Sequence, residues 1–247
     1  MVKKAKTSKT AAKASSKIDR VPTGIPGMDK LVEGGFVPGS TVLISGGPGV
    51  GKSILCYQYL WEGLKNGEAC MYVSFEEPPD KIRREAGDFG WDFAKYEKEG
   101  KMAILHIDPT KLAEIDISKY RDVTSTIIKD VQAKALKMKI KRIAVDPISV
   151  FGLFLEGKAQ VRRRTYEMAQ KLMEVGATTM MTCEHHVGTE SSFGVESYVA
   201  DGTMILRAIS AGRVANRTIE VVKMRRTKID EGIHGIEITS NGIKVTD

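Results

Sequence analysis

From Val21 onward, short apolar runs alternate with longer segments of helical period, the texture of a parallel sheet whose strands are joined by crossover helices. Strands are expected at residues 41–45, 70–75, 102–107, 142–146 and 178–183, and helices at 52–65, 79–89, 123–137 and 161–175. The end of the chain reads differently. Residues 203–208, 218–223, 235–239 and 243–246 look like successive strands, and Ser240-Asn241-Gly242 is a hairpin signal. The pattern therefore predicts an α/β fold with a mainly parallel central sheet flanked by helices and a C-terminal antiparallel extension.

Composition narrows the setting. A hydrophobic content of 42% over 247 residues is enough for a sizeable core. No apolar run approaches the eighteen or so residues that a membrane span needs, so no membrane association is expected. Cys56, Cys70 and Cys183 are odd in number and far apart, which suits reduced, buried thiols and a cytoplasmic location. The net charge of +7 is concentrated: residues 1–20 hold seven cations and one anion, leaving 31 cations and 30 anions for the rest. Those first 20 residues have little to bury and read as a disordered basic tail, with one domain at 21–247. The tail is suited either to solubilising the chain or to gripping nucleic-acid phosphates in a salt-sensitive way.

The strongest local signal is Gly46, Gly47, Pro48, Gly49, Val50, Gly51, Lys52 and Ser53, which satisfies G-x-x-x-x-G-K-[ST] directly after an apolar strand and before a helix. Glycines let backbone N–H groups turn toward phosphate oxygens, and the helix presents its positive end to the same anion. Lys52 then reaches the β- and γ-phosphates of ATP, and the Ser53 hydroxyl ligates Mg²⁺. Asp146 ends the strand KRIAVD, where its carboxylate can serve the same metal; alone, it reads equally as an acid capping the turn before Pro147. Glu76 and Glu77 close the second strand, placed to activate water for in-line attack or, on the plainer reading, to be solvated loop acids. Adjacent carboxylates repel, which raises the pKa of one of them.

Taken in order, TGIPGMDKLVEGG (from Thr23), GGPGVGKS, YVSFEE, Asp146, YVADG (from Tyr198) and KMR (from Lys223) resemble the KaiC-like branch of the RecA-type ATPases over residues 21–247. The chain resembles a single-domain version, whereas KaiC has two such domains in tandem. The resemblance implies a RecA-like P-loop core that hydrolyses ATP with Mg²⁺ in a homo-oligomeric ring, commonly a hexamer, acting in regulation or signalling. It implies that Glu76 and Glu77 are the catalytic acids, that Asp146 serves the metal, and that Lys223 and Arg225 reach the nucleotide of the next subunit. By themselves, Lys223 and Arg225 read as a solvated strand face. Two departures stand out: the family usually follows KMR with Gly, here Arg226, and has His where this chain has Ile229. Ser197-Tyr198 stands where the autophosphorylating half of KaiC has a Ser-Thr pair, so autokinase activity is not expected. A DNA-binding recombinase relative and a nucleotide-binding scaffold with negligible turnover are the alternatives.

Glu184, His185 and His186 follow the fifth strand, where such ATPases often place a γ-phosphate sensor; no spacing supports a zinc site. The loop at 187–197 contains no Lys or Arg, which argues against a DNA-gripping role. Met168, Met173, Met180 and Met181 are expected in the core. Residues 108–122 carry no functional signal.

Overall fold

The computed structural model describes residues 18–108, 120–155, 157–185, 194, 196–211 and 214–246. The tail up to Lys17, His186, the loop at 187–193 and most of 108–122 lie outside the described residues.

The parallel strands are β1 (Thr41–Gly46), β2 (Cys70–Ser74), β3 (Met102–His106), β4 (Arg142–Asp146), β5 (Thr178–Cys183) and β6 (Gly202–Ala211); β7 (Val214–Met224), β8 (Ile233–Thr239) and β9 (Gly242–Thr246) continue the sheet antiparallel. The order across the single sheet is β3-β2-β4-β5-β1-β6-β7-β8-β9, with β1 at its centre. Every residue of β1, β2, β4 and β5 is buried, because helices cover both faces. This explains why the sequence shows continuous apolar runs there and not an alternation.

The helices are α1 (Met28–Leu31), α2 (Lys52–Lys65), α3 (Pro79–Asp88), α4 (Phe93–Lys98), α5 (Tyr120–Met138), α6 (Phe151–Phe154), α7 (Gly157–Glu174) and α8 (Glu196–Val199). Two cores result. On one face, Val42, Ile44, Tyr72, Ala144 and Met180 pack against α2, α3 and the segment before β1. On the other, Leu43, Met71, Val73, Ile143, Val145 and Met181 pack against α5 and α7. Odd and even strand positions thus feed different cores, as the period of two requires. Met173 does not join them: it is 46% exposed, on the outer face of α7 two turns from exposed Tyr166. Met168, Met180 and Met181 are buried as expected, and so are the three free cysteines.

β6 and β7 exceed their expected lengths because their ladder continues to Ala211↔Val214, where neighbouring-strand hydrogen bonds hold residues of weak strand propensity. The two-residue turn Ser240-Asn241 closes β8 onto β9, pairing Thr239 with Gly242. The chain N-terminal to β1 is tied into this corner. Asp29 accepts hydrogen bonds from Thr23 N and Thr23 Oγ1 at 2.9 and 2.7 Å. Gln58 of α2 donates to the carbonyls of Gly24 and Ile243 and accepts from Ile243 N.

Candidate nucleotide site

The loop of residues 46–53 leaves the carboxyl end of β1 and enters α2. Its glycines are dictated by geometry at two positions. Gly51 has φ +107, and a Cβ there would lie 2.9 Å from Ile243 Cδ1; a Cβ on Gly46 would lie 2.8 Å from Val50 Cγ2. Gly51 also offers α2 no side-chain cap, so the first amides of the helix remain for an anion. Lys52 Nζ donates to the carbonyls of Gly46 and Gly47, both at 2.8 Å, which holds the ammonium inside the loop.

Three further strands end beside this loop. Asp146, 8% exposed, accepts hydrogen bonds from Tyr72 Oη on one carboxylate oxygen and Thr182 Oγ1 on the other. Glu76 follows β2 and extends into solvent. Partial burial of its carboxyl, then repulsion from Asp146, Glu184 and Glu77, raises its pKa above the ordinary value, and Lys52 opposes the shift. Repulsion within the Glu-Glu pair is thus one contribution among several, smaller than that of Asp146. Glu77 turns the other way: its carboxylate pairs with Lys81 Nζ at 2.5 Å, and its N–H donates to Ser74 Oγ. Glu184 leaves β5 exposed at the same edge.

Lys223 and Arg225 lie at the opposite edge. β7 is antiparallel, and Met224 pairs with Gly202, which pairs with Val42 near the start of β1. Four residues of strand, about 13 Å, separate that level from Gly46. Lys223 Nζ donates to the carbonyls of Ala200 (2.6 Å) and Ser197 (3.2 Å) at the end of α8. Burial and the neighbouring Arg225 lower its pKa, partly offset by Asp201. Arg225 is 59% exposed and, among the described residues, is held by Asp201 at 3.1 Å. Asp201 of the YVADG segment in turn accepts from Thr41 N at 3.0 Å, bracing the start of β1. Arg226 adopts φ +57, the left-handed conformation that glycine takes without strain, so the backbone that suits the family's glycine persists despite the side chain. Ile229 packs against the core where the family has a histidine.

Sequence reasoning missed Arg217 and Tyr72. Arg217 Nε donates to Gly49 O at 3.3 Å, bringing a cation to the phosphate loop from β7, and it lines a cavity of about 530 Å³ with Ile236 and Ile238. Neither residue carries a local signal, since each meets its partner, Asp146 or the carbonyl of Gly49, only in the folded chain.

A phosphate loop at the central strand of a mainly parallel sheet, flanked by strand-ending acids, defines a P-loop ATPase fold of the RecA type. The family model described as "ATPase: KaiC" matches residues 21–247, and the chain belongs to that family. It is 37% identical over 243 residues to the UPF0273 protein of Aeropyrum pernix, covering 92% of this chain and 94% of that protein. It is 36% identical over 217 residues to the circadian clock protein KaiC3 of Synechocystis, covering 87% of this chain but 43% of that one. The chain likewise spans 44% of the circadian clock oscillator protein KaiC of Synechococcus elongatus, at 33% identity. The crystal structure of a KaiC-like protein from the hyperthermophilic archaeon Pyrococcus horikoshii OT3 superposes with a TM-score of 0.82 at 34% identity, over 94% of this chain and all of that one.

No helix among the described residues is long and apolar enough to cross a membrane. Among the described residues there is also no group of three or more His, Cys, Asp or Glu side chains that could hold a metal unaided. The Asp146 carboxylate at the end of β4 and the Ser53 hydroxyl in the first turn of α2 are hard oxygen donors of the kind Mg²⁺ takes, one or two from protein together with nucleotide phosphates and water.

Proposed function

We propose that residues 21–247 act as one Mg²⁺-dependent ATPase domain whose active sites are completed between the subunits of a homo-oligomeric ring, commonly a hexamer. The observation that carries this reading is the separation of Lys223 and Arg225 from the phosphate loop of their own chain, at opposite edges of one sheet. A cation at the amino edge cannot reach a γ-phosphate at the carboxyl edge of the same subunit, but it can face the carboxyl edge of a neighbour.

In this reading, residues 46–53 wrap the phosphates with backbone amides, and Lys52 exchanges the carbonyls of Gly46 and Gly47 for phosphate oxygens. Ser53 and Asp146 hold the metal side, where bound Mg²⁺ supplies charge neutralisation. Glu76 takes the proton of the attacking water; its raised pKa makes it a better base than a free carboxylate. Glu77, paired with Lys81, keeps that corner of the edge fixed. Arg225 is the more available of the two cations for trans-stabilisation of transition-state charge, because Lys223 must first leave Ser197 and Ala200. The output of such a ring is regulatory or signalling. A DNA-directed reading has no specific observation in its favour.

Phosphate release measured across a wide range of protein concentrations tests the proposal. Specific activity should rise and saturate, and mixing Lys52→Ala with Arg225→Ala protein, each inactive alone, should restore activity. Flat, near-zero turnover despite ATP binding overturns the ATPase reading. Activity that is independent of concentration in a monomer overturns the shared site.

A further inference from the structure

β2, β4 and β5 are neighbours in the sheet, and three of their side chains converge on the face beneath α2. The ladder pairs Ala144 with Met180 and Val145 with Met181, so Thr182 stands beside Asp146 on the next strand. On the other side, Tyr72 pairs with Ala144 and reaches Asp146 diagonally. The result is a carboxylate with a hydroxyl donor on each oxygen, Tyr72 on Oδ2 and Thr182 on Oδ1.

The Tyr72 phenol is itself fixed. Its ring is 1% exposed and packs on that of Tyr57 with centroids 5.2 Å apart. Tyr57 stands edge-on to Phe93 and donates to Glu85 Oε2 at 3.0 Å. Lys81 lies 3.8 Å from Glu85 and 2.5 Å from Glu77. The Tyr72 ring lies in the core beneath α2, and its hydroxyl meets the Asp146 carboxylate beside the Tyr57 phenol; a residue needed only to fill that space would be served by phenylalanine, without a buried hydroxyl to satisfy.

We propose that Tyr72 and Thr182 are positioning residues for Asp146, each fixing one carboxylate oxygen so that the group meets Mg²⁺ in a single orientation. A carboxylate held at both oxygens cannot rotate about its Cβ–Cγ bond, and its remaining lone pairs keep one direction toward the phosphate loop. The inference rests on the reading of Asp146 as the metal-side carboxylate.

The test is binding of a fluorescent ADP analogue, with and without Mg²⁺, to the full chain. For Tyr72→Phe, the Mg²⁺ concentration at half-maximal tightening should rise about tenfold, while Mg²⁺-free nucleotide affinity stays unchanged. Thr182→Val should behave in the same way, and Thr182→Ser should restore the wild-type midpoint. The Thr182 pair keeps the test decisive if Tyr72→Phe folds poorly. Wild-type midpoints in both Tyr72→Phe and Thr182→Val, or affinity lost equally with and without Mg²⁺, overturn the proposal. Asp146→Asn separates the two levels. If it leaves Mg²⁺ dependence intact, the metal-side reading fails and the positioning role with it. If it abolishes that dependence while the hydroxyl variants do not, the positioning role alone fails.

Discussion

Strand β4 carries a buried cation at its amino end and a buried carboxylate at its carboxyl end, four residues apart on the face beneath α2. Arg142 is 1% exposed, and its partners all belong to the chain: Glu68 on Nε, the carbonyls of Pro22 and Tyr59 on Nη1, and the Tyr59 ring 5.0 Å from the guanidinium carbon. It joins the segment before β1, α2 and β4 at a single point. Asp146 is also held, but by hydroxyls, and an ionised carboxylate with two donors retains lone pairs for a ligand. Burial and charge alone therefore do not separate a structural ion from a functional one. Arg142 also keeps Nη2 buried with no hydrogen-bond partner among the described residues, so unspent capacity does not separate them either. The distinction lies in place, Arg142 at the amino edge against Glu68, Pro22 and Tyr59, and Asp146 at the carboxyl edge beside the phosphate loop.

Substitutions at the two edges should separate these roles, and the largest effect is expected at the amino edge. Arg142→Ala leaves Glu68 and two carbonyls without their partner and should lower stability in urea by about 3–5 kcal/mol, with nucleotide affinity retained wherever the variant is folded. A variant as stable as wild type would break the comparison. Next comes Glu76→Gln, which should slow ATP hydrolysis roughly 100-fold or more, equivalent to about 2.7 kcal/mol of barrier, without lowering the urea midpoint.

The same residue sets a pH dependence. Glu76 holds its proton to higher pH in the folded chain than in the unfolded one, so its contribution to stability is present at low pH and is lost as pH rises through the folded pKa. With Glu76 as the proposed base, hydrolysis should have the opposite sign, because a base must be deprotonated. The acid limb of the pH–rate profile should lie above the ordinary glutamate range and disappear in Glu76→Gln.

Gly51→Ala should cost about 1–2 kcal/mol from its left-handed backbone and push the side chain toward Ile243, weakening nucleotide binding at the same time. The smallest effect is expected back at the amino edge. Arg226→Gly removes a left-handed strain of about 1 kcal/mol but adds unfolded-state entropy, so thermal unfolding should show a gain of at most about 1 kcal/mol.

Much of this protein was legible along the chain because the relevant physics is local. β4, α2 and β5 fall at their expected bounds, since apolar runs and helical period fix them directly. The short helix α4 was missed, although Asp92 accepts from Lys95 N at 2.9 Å as an ordinary N-cap. The phosphate loop was readable for the same reason: eight contiguous residues supply its turns, its amides, its lysine and its hydroxyl.

What tertiary structure decided is everything that depends on which strands lie side by side. Tyr72 and Asp146 are 74 residues apart, Thr182 lies 36 beyond Asp146, and no local preference encodes their meeting. Glu76 and Glu77 are adjacent and chemically identical, yet the packing of α3 gives Glu77 a lysine and leaves Glu76 among acids. Sequence determined the elements and the loop, because backbone preference and amphipathic period act over a few residues. Only the fold set the partners and the edge of each charge, because strand order and register are fixed by burying two faces of one sheet at once.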